Sequence, residues 1–357
     1  MSGKWKNAKH ANTKPRSSST PSRGRHGRVE ARKGIPGKRV AITFIIVVLA
    51  LLVAAGSAAA VLLVGKQALF DVDQGSVGLK TIKYDGVTYE FNPDVTTILF
   101  LGIDKDNERT VPPYNGQADA IMAIALNEQT GKMTCLAVPR TSWTPIVTRN
   151  FANGQMGEET DFLCLGFNYG YDDADSSELM CQNVSFLLKG VPVDDYFTMN
   201  MSGVGALADA VGGVELTALY DVAKTDIKQG DELDLFGNDA RDYVWQRDTA
   251  VEFSSVERLE RQEQFAKAFA VKALEQCKSN PLELLHLFQV ADEHSITNLG
   301  FPELSYLAFF VASHGLSDVE MTSLPGTYAT TEEGYTKFTV NDEEALKTIL
   351  DIYYREA

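Results

Sequence analysis

Six polar residues stand where an α/β protein would place its chemistry: Asp104, Asp119, Arg140, Arg247, Arg258 and Gln262. Asp104 ends the apolar run ILFLGI, Asp119 precedes the run AIMAIAL, and Arg140 follows Val138-Pro139 at the end of a third run. Polar residues at strand ends in such sheets often line a ligand crevice. Two carboxylates brought together there repel each other. A divalent cation, Mg²⁺ or Mn²⁺, relieves that repulsion, and Mg²⁺ typically takes one or two carboxylates plus substrate phosphates. Arg247 follows Tyr243 and Val244 at helical spacing, and Arg258 and Gln262 share a helix face at i and i+4. On that helix Val256, Leu259, Ala266 and Phe269 mark the expected buried stripe, with Gln262 along it. An arginine on an apolar face needs a carboxylate or a ligand anion, and the planar guanidinium suits phosphate oxygens. The bland alternative is two solvated turn acids and arginines paired with any of the many acids. Taken together the six describe an anionic site with a metal, without naming a substrate.

Other searches are negative. There is no GxxxxGK[ST], HExxH or GxSxG, and His286, His294 and His314 show no ligand spacing. Ser202-Gly-Val-Gly205 reads as a helix N-cap rather than a phosphate loop. Cys135, Cys164, Cys181 and Cys277 have no metal-like spacing. Cys164 and Cys181 flank a polar loop and are the pair expected to bridge if any does, while Cys135 reads as a small core residue.

The elements that must hold these residues follow from periodicity. IKYDGVTYEF carries an Asp-Gly hairpin. Thr96–Asp104, Ala120–Leu126 and Met133–Val138 read as buried strands, the last two joined by the polar turn 127–131. Helices are expected at 176–189, 202–211, 238–247, 255–277, 302–313 and 342–354, a further helix with Pro281 in its first turn, and strands at Val214–Thr217 and Val319–Leu324. Strands alternating with helices predict one α/β layered domain with a central sheet over 81–357.

Ahead of it the charge is segregated. Residues 1–40 hold 12 bases and one acid, a sum of +11; the rest hold 33 − 12 = 21 bases and 48 − 1 = 47 acids, a sum of −26. Between the halves, Val40 to Val64 is an uncharged apolar run of 25 residues, long enough for a transmembrane helix. Lys33, Lys38 and Arg39 before it place the N-terminus in the cytoplasm and the body outside, a single-pass type II arrangement at the cell membrane. A cleaved leader is the competing reading, but the apolar run exceeds the usual length. The basic tail 1–39 is expected to be disordered and to rest on anionic headgroups rather than on nucleic acid. Residues 65–80 read as a juxtamembrane connector. The split excludes a soluble cytoplasmic enzyme.

The order of motifs resembles the LytR-CpsA-Psr (LCP) family of membrane-anchored bacterial cell-envelope enzymes. The resemblance rests on ILFLGID (98–104), GQADAIMAIALN (116–127), VPR (138–140), DAVGGVEL (209–216) and RLERQEQF (258–265). It implies an α/β/α layered domain with a central mixed sheet that holds a polyprenyl lipid in an apolar cavity. It implies transfer of a glycopolymer from undecaprenyl diphosphate to peptidoglycan, forming a phosphodiester to a muramic acid hydroxyl and releasing undecaprenyl phosphate. The partners implied are that lipid-linked glycan, peptidoglycan and membrane lipid. Asp104 and Asp119 match the acids near the magnesium-bound diphosphate, and Arg140, Arg247, Arg258 and Gln262 match diphosphate-binding residues; Asp104, Asp119 and Arg140 would be catalytic, with no base assigned between the two acids. The chain departs from the pattern at Asp106, Gln117, Ala118, Ala120, Thr141, Trp245 and Glu257, several of them positions where the family carries charge, and Arg109 is a candidate substitute. The departures keep two other readings open: a non-catalytic polyprenyl-glycan binder or envelope regulator, and a polyprenyl-diphosphate hydrolase.

Overall fold

A computed structural model describes residues 58–70, 78–104, 116–248, 250–251, 253–280, 283–314 and 319–357. Most of the expected membrane span, the tail, Asp106 and Arg109 lie outside these residues. Among the described residues no helix is long and apolar enough to cross a membrane.

Helix α1 (58–70) contains the end of the apolar run and the start of the expected connector. Strands β1 (Thr81–Tyr84) and β2 (Val87–Phe91) form the expected hairpin. Its turn residues Asp85 and Gly86 have φ of 49° and 80°, the left-handed values an Asp-Gly turn accommodates. The expected central strands follow as β3 (Val95–Asp104), β4 (Gln117–Asn127) and β5 (Met133–Ala137). The chain then makes a hairpin the sequence did not announce, β6 (Trp143–Arg149) and β7 (Met156–Phe162), a 3-10 helix (Leu163–Tyr169), and helix α2 (Asp173–Leu187). Next come β8 (Asp195–Asn200), α3 (Met201–Ala210), the pair β9 (Val214–Thr217) and β10 (Glu232–Leu235), and α4 (Gly237–Trp245). The last part holds α5 (Ser254–Ser279), α6 (Glu283–Asp292), β11 (Ser295–Thr297), α7 (Phe301–His314), β12 (Val319–Ser323), the hairpin β13 (Gly326–Thr330) and β14 (Thr336–Val340), α8 (Asp342–Tyr353) and β15 (Tyr354–Glu356).

The central sheet runs β11-β8-β3-β4-β5-β12. It is mixed: β3 pairs antiparallel with β4 and parallel with β8, and β12 pairs parallel with β5. One face carries Leu99, Leu101, Ile121, Ala123 and Leu136, all sealed from solvent by α2, α8 and the small sheet β1-β2-β15. The other face is covered in two patches. Met201 and the helices α3 to α6 pack around one end, while α1 and α7 cover Ile98 and Leu126 at the other. Between the patches Phe100, Met122, Ile124 and Phe197 are only half-buried although they sit on inner strands of the sheet. Phe100 and Phe197, cross-strand neighbours, stack at 6.4 Å. Helix α3 begins one step earlier than expected: Asn200, not Ser202, is its N-cap, accepting from the Ser202 amide at 3.2 Å.

Candidate functional site

Strand β4 carries the central acid, and a local irregularity aims it. Gly102 pairs with Ala120 but the next β3 residue, Ile103, pairs with Ala118, so Asp119 is the extra residue of a β-bulge. With regular alternation Asp119 would share the parity of Ile121 and Ala123 and point into the sealed core. The inserted residue re-aims it, as bulges beside functional sites commonly do. Its carboxylate is 9% exposed and takes two arginines from different elements: Arg140 Nε at 2.8 Å on Oδ1 and Arg258 Nη1 at 3.1 Å on Oδ2. The first arginine follows Pro139 at the end of β5; the second projects from the second turn of α5.

Arg258 is 4% exposed and is the most perturbed of these cations. Burial lowers its pKa to about 10, the Asp119 charge opposes that, and the Arg140, Arg247 and Arg261 charges reinforce it. Its Nη2 has no hydrogen-bond partner among the described residues, and neither has the buried Ser255 hydroxyl. Ser255 lines a small cavity together with Asp119, Pro139, Arg140, Gln262 and Tyr328, and Arg258 reaches that cavity's wall through its ion pair with Asp119. Buried donors without partners cost free energy unless a ligand or water meets them.

Arg247 joins the cluster from another direction than expected. Helix α4 ends at Trp245 and Gln246 is its C-cap, so Arg247 lies beyond the helix rather than on its face. Burial lowers its pKa, Arg140 adds to the effect, and Asp119 opposes it. It is close enough to Asp119 and Arg140 to feel both charges. Gln262 also differs from expectation: it borders the cavity, but its Nε2 donates to the Val244 carbonyl at 3.1 Å. The deepest face of α5 is Ser254, Arg258, Arg261 and Phe265, not the Val256–Leu259 stripe. The reason is polar. Arg261, 2% exposed, donates to the carbonyls of Tyr243 and Gln246, so α5 binds the C-terminal carbonyls of α4 while offering Arg258 to Asp119.

Asp104 is the β3 partner of Gln117, one turn of the ladder from the bulge; its side chain lies outside the described residues. Among the described residues there is no group of three or more His, Cys, Asp or Glu that could hold a metal. Gln117 accepts from Arg140 Nη2 and stands 4.0 Å from the Cys164 thiol. Cys164 is not in a disulfide. All four cysteines are free, with Cys164 in the 3-10 helix and Cys181 buried in α2, against the bridge the loop between them suggested. Burial raises the Cys164 thiol pKa. Sequence reasoning passed over Ser255, Arg261 and Tyr328, and marked Gln117 only as a departure from the family pattern. Only Arg261, one helical turn from Arg258, left a signal: an arginine on the face that Arg258 already marked.

Comparison with known proteins meets this geometry. The model of the LytR_cpsA_psr family matches residues 73–351. TagU of Bacillus anthracis, a polyisoprenyl-teichoic acid–peptidoglycan teichoic acid transferase, is 29% identical over 146 residues, which are 41% of this chain and 39% of that protein. The aligned part is thus about two fifths of the curated relative's length. Bacillus subtilis TagV superposes with a TM-score of 0.57 at 20% identity, covering 72% of this chain and 96% of TagV. A structure of TagT bound to LI-WTA gives 0.54 at 21% identity, covering 79% and 96%. These structures share the fold: a mixed α/β domain around a central mixed sheet.

Proposed function

This chain belongs to the LytR_cpsA_psr family, and we propose that it transfers a glycopolymer from an undecaprenyl-diphosphate carrier to peptidoglycan. The observation that carries the reading is the cluster around Asp119, in which Arg140 and Arg258 pair with one carboxylate, Arg247 stands within reach of its charge, and Arg258 Nη2 and Ser255 Oγ remain without partners. Such an excess of buried positive charge with spare donors suits a diphosphate. The half-buried Phe100, Met122, Ile124 and Phe197 form an apolar path on the same sheet face for the prenyl chain. The relatives named above supply the reaction class.

In the reaction a muramic acid hydroxyl attacks the phosphorus that bears the glycan. A new P–O bond forms, the bridging P–O–P bond breaks, undecaprenyl phosphate leaves, and the hydroxyl proton passes to a base. Arg140, Arg247 and Arg258 hold the diphosphate and stabilise the charge of the transition state. Asp119 keeps Arg140 and Arg258 apart and aimed. Its two oxygens retain lone pairs beyond the two ion pairs, so Asp119, with Asp104 at the neighbouring strand end and substrate oxygens, would hold Mg²⁺ or Mn²⁺. Bound there, the ion would neutralise diphosphate charge. The transmembrane anchor expected at 40–64 would keep the body outside the cell and beside the carrier lipid.

The test uses the purified chain, a polyprenyl-diphosphate glycan, peptidoglycan fragments and Mg²⁺. Transfer of the glycan to the fragments is expected, and it should be lost in Asp119→Ala. Carrier binding without transfer would replace this reading by a binder, a role in keeping with Thr141 and Trp245 where the family carries charge. Release of glycan phosphate without an acceptor would replace it by a hydrolase.

A further inference from the structure

Helix α1 is docked on the body rather than extended from it. Leu69 is buried, Phe70 packs edge-on against Tyr306 of α7 at 6.1 Å, and Lys66 pairs with Glu128 in the β4–β5 turn. Gly65 lies against the backbone of α7: a Cβ there would overlap the Pro302 carbonyl oxygen. The residue that follows the apolar run, whose last members are Leu63 and Val64, is thus seated on the first turn of α7, where Phe301 precedes Pro302.

The surface made this way is apolar and open. Leu63 is 66% exposed, Val64 55%, Phe301 61% and Phe309 50%. Along α7, Phe301, Ser305, Phe309 and Ala312 follow one another at steps of about one turn and carry no charge. The one hydroxyl on this stripe, Ser305, donates to the Phe301 carbonyl at 2.7 Å and so asks nothing of its surroundings. The single acid of α7, Glu303, lies half-buried off the stripe. Water is a poor partner for such a face, since contiguous exposed apolar patches mark interaction sites.

We propose that the α1–α7 face is a membrane-docking surface, on which the folded body lies against the lipid bilayer. The occupant is argued from the chain itself. Leu63 and Val64 are the last residues of the run expected to span the membrane, and Gly65 directly after them is seated on α7 at Pro302, so this surface begins where the expected span ends. Lys66, one turn further along α1 and paired with Glu128, has its side chain 41% exposed, and on a docked body its ammonium would lie at headgroup level. The other side of α7 covers Ile98 and Leu126 next to the half-buried Phe100 and Ile124. Docked in this way, the body would let a prenyl chain pass from the bilayer to the sheet along α7 without crossing water. The inference rests on the membrane reading in Proposed function but not on the transfer reaction.

The test places spin labels on the full chain in lipid nanodiscs. Phe301→Cys and Phe309→Cys are made in a Cys277→Ser background, the three remaining cysteines being buried. Both labels should be relaxed by oxygen and shielded from a water-soluble nickel chelate, whereas labels at the exposed Tyr171 and Tyr335 should show the reverse. Phe301→Glu should shift the ratio of docked to undocked body, read at the 309 label, by about tenfold, the scale expected for withdrawing one large apolar side chain from lipid. Nickel access at 301 and 309 equal to that at 171 and 335 would overturn the proposal. Shielding from both relaxants would overturn it too, in favour of a second protein copy on this face. Loss of transferase activity with the docking intact would sink the reaction and leave this inference standing.

Discussion

The two faces of the central sheet are built from residues of the same kind and packed to different ends. On one face Leu99, Leu101 and Leu136 are sealed under α2 and α8. On the other Phe100, Met122, Ile124 and Phe197 remain half-buried between two patches of helices, and the strand end beside them carries a charged cluster. Neighbouring residues of one strand therefore have opposite tasks. The sealed face contributes stability through close packing. The open face gives up part of that burial and leaves half-buried apolar side chains beside the charged cluster. The contrast also separates buried arginines. Arg261 donates to two backbone carbonyls and joins two helices, while Arg258 donates to a carboxylate that a second arginine shares.

The sharpest way to break this contrast is at Asp119. Asp119→Ala leaves Arg140 and Arg258 without their carboxylate, and removing one partner of a buried ion pair typically costs about 3–5 kcal/mol. Chemical denaturation should show a loss of that order, and carrier turnover should vanish with it. If stability is unchanged, the cluster is solvated rather than buried. On the sealed face, Leu101→Ala should cost about 2–5 kcal/mol in the same assay, the range for a large-to-small change in a full core, with carrier affinity unaltered. A smaller third effect lies at the end of the sheet away from the cluster. Burial, reinforced by the Asp194 and Glu303 charges, raises Asp195 to about 6. The folded state therefore binds this proton more tightly than the unfolded state, and its contribution to stability is lost as pH rises from the ordinary carboxylate range through about 6. Asp195→Asn should raise stability at pH 7.5 by roughly 1–2 kcal/mol and leave it unchanged below about pH 4; an equal gain at both pH values would show that charge is not the cause. Asp175 has the opposite sign, because its bidentate pairing with Arg149 lowers its pKa. The smallest stability effect is expected on the open face. Met122→Ala should cost under about 1.5 kcal/mol, below the range for fully buried sites, yet weaken carrier binding in a lipid-retention assay. A loss as large as that of Leu101→Ala would make the open face part of the core.

Much of the framework was legible because it is repetitive. The runs in β3, β4 and β5 are apolar almost throughout, which marks strands covered on both faces, and the Asp85-Gly86 turn names its own geometry. The β6–β7 hairpin escaped because β7, Met156–Phe162, has no buried residue and so no alternation to read. Strand β8 was missed for a related reason: Asp195 and Asn200 bracket a short segment that mixes polar and apolar residues. At the site, the identities of Asp119, Arg140, Arg247 and Arg258 could be listed from strand ends and helix spacing. Their arrangement could not, since the bulge that turns Asp119 depends on how β4 registers with β3, and Arg247 owes its place to where α4 stops.

The sequence by itself determined the kind of protein this is: a layered α/β body with acids and arginines at strand ends, behind a basic tail and an apolar run. Local chemistry suffices for that, because periodicity and composition act over a few residues. Only the tertiary structure decided which acid is shared, which two arginines share it, which sheet face stays half-buried, and that the residue after the apolar run is seated on the start of α7. Each of these is a meeting of segments far apart in the chain, such as Asp119 with Arg258, and whether a charge is buried, paired or free depends on what the fold brings next to it.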